Sequence, residues 1–266
     1  MASPTRLLPS LPGTCGRALL LLLLAVMPLW LSAQIVNIED QRRALDSLGW
    51  FGQLDLNGSL TKNNNTVVTA GGALRLDRLG RRGNVLFLSD YRLVQVSGAN
   101  ATNAGFGHLR YGYEPRDKWR WESFGQLQYN EQLRLSLRAL LGTGLRRRLY
   151  KSERGRVYLG LLYMFEYDEF TRSAITYRDH RLSGYLTART QLTPALFLAA
   201  TAYYQPRLPD FSFPRASAVA SLTLAVTRTI RLTSKLNGTH DARLNRDFPE
   251  VPATTFNWTN GLRLTF

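Results

Sequence analysis

The sequence predicts an all-β fold: a transmembrane, antiparallel up-and-down β-barrel of about 12 strands, with a short N-terminal periplasmic helix before it. Three observations predict this fold. Apolar and polar residues alternate along run after run, the connectors are short at one end and longer at the other, and an export signal stands in front. Alternation with a period of two is typical of strands, because successive side chains point to opposite faces.

The first 33 residues have the features of a secretory signal peptide. Arg6 and Arg17 precede an apolar run at 18–31, and Leu31-Ser32-Ala33 offers a small-residue cleavage site before Gln34. A membrane anchor is the alternative, but the run is shorter than the ~20 apolar residues of a spanning helix and contains Pro28. We therefore predict cleavage of residues 1–33, a short periplasmic segment at 34–49, and a barrel at 50–266.

Composition excludes several classes of function. The only cysteine, Cys15, precedes the apolar run, so the mature chain offers neither a disulfide nor thiol chemistry. The formal charge of +15 suggests nucleic acid at first sight. However, the arginines alternate with leucines and tyrosines along strands instead of clustering on a helix or in a tail. We expect no nucleic-acid partner.

The clearest alternation runs from 133 to 149. One parity holds Leu133, Leu135, Leu137, Ala139, Leu141 and Leu145, and the other holds Arg134, Ser136, Arg138, Gly142, Gly144, Arg146 and Arg148. Helical spacing would scatter these arginines around the whole helix, so the pattern predicts a strand. The remaining alternating runs are 50–62, 66–77, 84–96, 103–114, 118–129, 156–168, 178–190, 195–205, 216–227, 229–239 and 255–266.

The connectors indicate two different ends of the barrel. On the side of the N-terminus they are short, around 80–83, 115–118, 152–155, 193–194 and 228. On the opposite side lie 63–65, 97–102, 130–132, 169–177, 206–215 and 240–253, which include the three longest. Short periplasmic turns and longer extracellular loops are typical of bacterial outer-membrane barrels.

Strand length and composition predict that the apolar parity faces lipid. A strand of ~10 residues rises ~33 Å, and a tilt of ~40° reduces this to the ~25 Å apolar band of an outer membrane. Aromatic residues gather near strand ends, where amphipathic rings suit lipid headgroups. A water-soluble barrel would carry Lys and Glu on its outer face, whereas Lys is scarce here. We expect the protein in the bacterial outer membrane, in contact with its lipid.

The C-terminal run carries a possible assembly signal. Trp258, Leu262, Leu264 and Phe266 share one parity and end on a terminal Phe. This pattern resembles the signal by which the barrel assembly machinery recognises its precursors during biogenesis. We expect that machinery to be a partner.

Several stretches resemble a known family. They are Phe106–Tyr111 (FGHLRY), Glu122–Asn130 (ESFGQLQYN) and Leu141–Arg146 (LGTGLR), with later matches at Tyr203–Pro206 and Gly261–Phe266. They are similar to the salt-induced outer-membrane protein family, in its Bacteroidetes-like form, over most of 50–266. Leu60–Asn65 departs from the Gly-Asn turn common elsewhere in that family. The resemblance implies an outer-membrane barrel and brings no assigned reaction or ligand.

The inward parity supplies the candidate lumen and selectivity residues: Arg92, Arg110, Glu122, Arg134, Arg138, Arg146 and Glu166. The main hypothesis is an interior salt-bridge network that fills the lumen and rigidifies a barrel with a structural or envelope-stress role. The alternative is a narrow, porin-like diffusion channel for small solutes, anions among them, because rings of arginine favour anions at a constriction.

No enzymatic motif stands out. The three histidines, His108, His180 and His240, lack the spacing of a metal site, and no G-x-S-x-G or H-E-x-x-H sequence occurs. We predict that the protein is not an enzyme and has no cofactor, metal site or catalytic residue. His108 is expected to be a hydrogen-bonded residue of the lumen.

Overall fold

The computed structural model describes residues 48–227 and 229–264, apart from the side chain of Arg263. The predicted signal peptide, residues 34–47 of the expected helical segment and the terminal Phe266 lie outside these residues. Within them, no helix is long and apolar enough to cross a membrane.

Within the described residues, thirteen strands form one antiparallel sheet. In chain order they are β1 (Gly49–Lys62), β2 (Thr66–Leu79), β3 (Gly83–Val96), β4 (Ala99–Arg116), β5 (Trp119–Asn130), β6 (Leu135–Lys151), β7 (Gly155–Phe170), β8 (Thr176–Thr193), β9 (Leu196–Gln205), β10 (Arg207–Leu208), β11 (Arg215–Ala225), β12 (Ile230–Asp241) and β13 (Thr254–Leu264). A 3₁₀ turn (Glu131–Leu133) and helix α1 (Ala242–Asp247) are the described helical elements.

The strands form a meander in which each long strand pairs with its neighbours in sequence. The two-residue β10 is the exception: it folds back onto β8, and β9 pairs directly with β11. The twelve long strands coincide with the twelve alternating runs to within a few residues. The predicted strand count and up-and-down order are therefore confirmed.

The connectors also follow the predicted division, with one correction. The segment 97–102 was predicted as a longer connector, but β4 already begins at Ala99. Ser97 and Gly98 both have positive φ, of 50° and 85°, and complete a two-residue turn. Such turns match the right-handed twist of a hairpin, which is why the strands continue to their very ends.

A β-bulge corrects the predicted alternation at the start of β6. The 3₁₀ turn ends on Arg134 in a left-handed conformation, and the register then shifts between Leu135 and Leu137. The extra residue turns Leu135 inward, where it is buried, whereas Ser136 is exposed. The prediction that Leu133 and Leu135 share the lipid-facing parity of Leu141 was therefore wrong, because a bulge reverses the facing of the residues before it.

The sheet curls around its inner face without closing. Side chains from β5 and β8 meet, as do side chains from β7 and β11, although neither pair of strands is adjacent. Within the described residues β1 and β13 remain unpaired edges, so the structure departs from the predicted closed barrel. Between β4 and β12, long arginine and carboxylate side chains join strands that are not adjacent and so keep the sheet curled. The inner face of β1 carries short polar residues instead, such as Asn57 and Ser59.

The two faces of the sheet differ in composition. The outer face exposes large apolar side chains strand after strand, for example Leu109, Leu141, Leu161 and Leu262. The inner face buries charged residues together with a small apolar cluster of Phe124, Leu162, Met164 and Tyr185. The exposed face is therefore the apolar one, which is the reverse of a water-soluble sheet protein.

Candidate functional site

Glu166 of β7 stands at the centre of the inner face and is completely buried. One carboxylate oxygen, Oε1, lies 2.7 Å from an Nη atom of Arg215 and 3.3 Å from Nε of Arg138. The other oxygen lies 2.5 Å from Nε of Arg181. The three arginines come from β11, β6 and β8, so this one carboxylate ties together four strands.

Further carboxylates complete the neutralisation of these arginines. Asp168 accepts two hydrogen bonds from Arg138, of 2.8 and 2.6 Å, in the paired geometry that suits a guanidinium. Asp241 accepts one of 2.9 Å from Nε of Arg215, and Asp179 accepts one of 3.1 Å from Arg181. We call Arg138, Glu166, Asp168, Asp179, Arg181, Arg215 and Asp241 the central network.

Burial makes this network tight and costly to break. Removing a charge from water costs several kcal/mol, which is offset only by good geometry and by further hydrogen bonds. Arg181 also donates to the main-chain oxygens of Gln205 and Phe213, at 3.0 and 3.3 Å. Every charge of the network has an opposite charge beside it, so the centre of the inner face is fixed and close to neutral.

A second cluster lies nearer the turns and surrounds Glu122 of β5. Arg110 donates a hydrogen bond of 3.0 Å and the Tyr185 hydroxyl one of 2.7 Å to the same carboxylate oxygen. Arg146 lies 3.6 Å from the other oxygen. Gly160 makes this arrangement possible, because a Cβ at that position would overlap the Tyr185 ring.

On the loop side, residues 242–253 fold into the mouth of the curled sheet. We call this segment the plug. Its Leu244, Phe248 and Val251 are buried against Leu135, Phe170 and Tyr177, and Val251 is only 1% exposed. These apolar contacts close this end of the inner face with side chains from the chain's own loop.

Polar contacts fix the plug in place. The Tyr177 hydroxyl donates a hydrogen bond of 2.6 Å to Asp247, Arg243 pairs with Asp179, and Arg134 pairs with Glu250 at 2.6 Å. The hydrogen bond from Arg246, followed by that from Tyr177, holds the pKa of the Asp247 carboxyl below its ordinary value. The plug is thus tied both to the central network and to the rim.

The cavities that remain on the inner face differ in size from one end to the other. Beside the central network the cavities measure only about 60 and 30 Å³, enough for a few water molecules. A larger cavity of about 410 Å³ opens at the turn side, and one of about 370 Å³ lies along the small residues of β1–β3. The network and plug therefore fill the loop-side half of β4–β12.

The structure brings five of the seven candidate lumen residues together. Arg110, Glu122 and Arg146 form the turn-side cluster, and Arg138 and Glu166 belong to the central network. Arg92 lies apart and lines the cavity along β1–β3. Arg134 was predicted on the inward parity, but it is half-exposed in the connector before β6, because the strand begins only after it.

Sequence reasoning missed four members of the site: Asp168, Asp179, Arg215 and Asp241. Asp168 could have been predicted to face inward, because it lies two residues after Glu166 on the same strand and so points to the same face. Arg215 and Asp241 were assigned to connectors, although they are the first residue of β11 and the last of β12. They lie directly opposite each other in the register, which places both on the inner face.

The histidines occupy ordinary hydrogen-bonded positions. His108 is buried, its Nδ1 lies 2.9 Å from Oε1 of Gln126, and its ring stacks on Phe124. His180 contacts Tyr163 and His240 contacts Thr254. No group of three potential metal ligands occurs in the part of the chain that the structure describes.

Three of the predicted assembly residues are visible on β13. Leu262 and Leu264 are exposed on the outer face, and the indole of Trp258 donates a hydrogen bond of 2.7 Å to Ser234. The fourth, Phe266, lies outside the described residues. The assembly role of these residues stays a prediction.

Solved structures with a similar arrangement include two porins and an outer-membrane secretin. A structure titled "NanC porin" shares 11% identity with the chain and covers 80% of it and 100% of itself, with a TM-score of 0.46. A bacterial polysaccharide outer membrane secretin shares 7% identity over 81% of each chain, with a TM-score of 0.48. The KdgM porin shares 10% identity over 82% of this chain and 98% of its own, with a TM-score of 0.40. All three scores lie below 0.5, so the description of the fold rests on the strands and contacts above.

No curated protein matches the sequence. A family described as "Protein of unknown function, DUF481" matches residues 54–255, which span β1 to β13. The name of the salt-induced family is not confirmed by this match. The match covers about three quarters of the chain, and the protein belongs to the DUF481 family.

Proposed function

We propose that the protein is an integral outer-membrane β-barrel whose interior is largely filled by the central network and the plug, and whose role is structural or linked to envelope stress. The exposed apolar face supports the membrane location. Leu141, near the middle of β6, is 66% exposed, and comparable leucines stand on the same face of the neighbouring strands. Such a face suits lipid and would aggregate in water.

Aromatic side chains support the same location. Trp50, Trp119, Trp121 and Tyr150 are exposed on the outer face near the turn-side ends of their strands, and Tyr204 and Phe256 near the loop-side ends. Amphipathic rings at both borders of an apolar band are typical of a barrel at the lipid headgroups.

One observation supports the filled interior most directly: the fully buried Glu166 pairs with arginines from three other strands. Charges paired in this way cross the space through which a solute would have to pass. The cavities beside them are too small for a hydrated solute, so a structural role is favoured over a channel.

The channel alternative keeps one specific observation in its favour. Small residues of β2, among them Thr69, Gly71 and Ala73, line a cavity of about 370 Å³ that Asp90 and Arg92 of β3 also border. A narrow passage for small anions would run along this wall. Arg92 would then be its selectivity residue.

Two experiments test the proposal. Cell fractionation and gel mobility with and without heating should show a heat-modifiable outer-membrane protein, and a soluble periplasmic product would contradict the location. Planar-bilayer recording of the refolded protein should show no sustained current. A sustained anion-selective current that Arg92→Ala reduces would favour the channel instead.

A further inference from the structure

Two arginines lie on the outer face at the turn-side border of the apolar band, and each lies over a tryptophan. Arg78 of β2 is opposite Trp50 of β1 in the register, with its Cζ atom 5.6 Å from the centre of the Trp50 ring. Arg147 of β6 is opposite Trp119 of β5, with a Cζ-to-ring distance of 5.2 Å. All four side chains are exposed. These two charges therefore belong to the same surface as the lipid-facing leucines.

The position of Arg147 along β6 matches the border of a bilayer. It lies six residues beyond Leu141, which is near the middle of the outer face. Six residues of strand rise ~20 Å, and a tilt of ~40° reduces this to ~15 Å. That distance is slightly more than half of the ~25 Å apolar band, so the guanidinium reaches the headgroup layer. Arg78, the last residue but one of β2, lies at the same end of the sheet.

The tryptophan rings hold these arginines in a form that suits a phosphate group. A guanidinium within ~6 Å of a ring centre is attracted to the negative face of the ring. An arginine that rests on a ring still presents N–H donors at its edge, and these fit the oxygens of a phosphate. Tryptophan itself is favoured at the level of the lipid headgroups. Each pair thus presents an oriented cation to the layer that contains phospholipid phosphates.

The loop-side border has a similar pair that suits an anion less well. Arg178 of β8 is opposite Tyr167 of β7, with its Cζ atom 5.8 Å from the ring centre. The Tyr167 hydroxyl also donates a hydrogen bond to Glu169. This carboxylate lies beside the pair and repels a phosphate, whereas the indole N–H of a tryptophan is a donor only. The two borders of the outer face therefore offer different contacts to a headgroup.

We propose that the turn-side border of the outer face binds the headgroups of anionic phospholipids at two sites, the pairs Arg78–Trp50 and Arg147–Trp119. The pairs are four strand spacings apart, ~19 Å along the sheet, so one headgroup does not contact both. Zwitterionic lipids carry the same phosphate but bring a cation of their own, which the arginine repels. The proposal rests on the proposed membrane location and adds the class of lipid and the side chains that bind it.

Native mass spectrometry of the purified protein in detergent tests this preference. The probes are dioleoyl phosphatidylglycerol and dioleoyl phosphatidylcholine, which share their acyl chains and their phosphate. We expect tighter binding of phosphatidylglycerol, for up to two molecules, and a smaller difference at higher ionic strength, because salt screens exposed charges. Equal affinities for the two lipids would overturn the proposal.

Matched variants locate the sites. Arg78→Gln and Arg147→Gln should each weaken phosphatidylglycerol binding at one site about fivefold, the effect of one arginine near an anionic lipid surface. The double variant should lose the preference for this lipid. Arg178→Gln removes the same charge from the loop-side border and should leave the preference unchanged. Equal weakening by Arg178→Gln would indicate general charge attraction and contradict the two sites.

Two further measurements exclude other causes. Arg147→Lys keeps the charge and should retain most of the preference, whereas a loss as large as in Arg147→Gln would contradict binding through charge. Heat-modifiable gel mobility verifies that each variant is folded. Glycerophosphoglycerol, the headgroup without acyl chains, should not displace the lipid at equal concentration, and displacement would assign a soluble phosphodiester instead.

Failure of this proposal is distinguishable from failure of the proposed function. Fractionation and planar-bilayer recording test the location and the filled interior, and neither depends on which headgroup the outer face prefers. Equal affinities for the two lipids would therefore overturn the two sites and leave the structural role intact.

Discussion

At the scale of single residues, the inner face depends on a few carboxylates that each serve several arginines. Glu166 contacts Arg138, Arg181 and Arg215. Its loss would leave three buried guanidinium groups with too little negative charge. Breaking a buried ion pair from one side is costly because the remaining charge stays desolvated.

We predict that Glu166→Gln lowers the free energy of unfolding by about 3–5 kcal/mol. Glu169→Gln is the matched control: Glu169 lies three residues further along β7, is exposed and accepts a hydrogen bond from Tyr167. The control should change the stability little. Urea unfolding in detergent measures both variants, and an equal effect would show that the central network does not hold the sheet together.

At the scale of the element, each strand has a face for lipid and a face for the interior. In β6, Leu141 lies near the middle of the outer face, and Leu149 lies near the turn-side end beside Tyr150. A charge on the lipid face costs most at the centre of the bilayer and little near its borders.

Leu141→Arg should therefore destabilise the membrane-embedded protein by about 2–4 kcal/mol, and Leu149→Arg by about 0–1 kcal/mol. Unfolding titrations in lipid vesicles measure the difference. Equal costs at the two positions would mean that the outer face of β6 does not lie across a bilayer.

The plug is the second element with a testable property. Because the folded-state pKa of Asp247 is lowered, its contribution to stability is present above the ordinary pKa of 3.8 and is lost as the pH falls through the lower folded-state value. Hydrogen exchange of residues 242–253 should show constant protection from pH 7 to about 5 and a loss below about 3.8. In Asp247→Asn this acid-induced loss should be reduced; an unchanged pH profile would contradict the role of Asp247.

At the scale of the whole molecule, the local sequence pattern predicted the strands, whereas the arrangement of side chains in the interior depends on long-range contacts. Alternation alone placed twelve strands and both sets of connectors, because the two faces of each strand meet different surroundings. It could not show the bulge at Leu135, which depends on the preceding turn. Nor could it show that Arg215, paired with Asp241 on the neighbouring strand, also reaches Glu166, since that contact requires the curl of the sheet across several strands.

The plug is a second feature that the sequence pattern could not predict. The sequence predicts 240–253 only as a long connector on the loop side, whereas Leu244, Phe248 and Val251 turn inward onto apolar residues of β6, β7 and β8. Spacing within the loop carries no signal of this, because the receiving surface is assembled from distant strands.

Thiol labelling of four adjacent positions in β7 tests most directly that lipid surrounds the sheet and that its interior is filled. With Cys15, the only cysteine, replaced by serine, single cysteines are introduced as Leu161→Cys, Leu162→Cys, Tyr163→Cys and Met164→Cys in vesicles. Leu161 and Tyr163 are exposed on the outer face, and Leu162 and Met164 are 2% and 1% exposed on the inner face.

We predict that a lipid-soluble maleimide modifies positions 161 and 163, that a charged, water-soluble thiosulfonate modifies neither, and that positions 162 and 164 resist both reagents until the protein is unfolded. Rapid reaction of the charged reagent at 162 and 164 would reveal a water-filled lumen. Rapid reaction at 161 and 163 would show that the outer face meets water, which would contradict the membrane barrel itself.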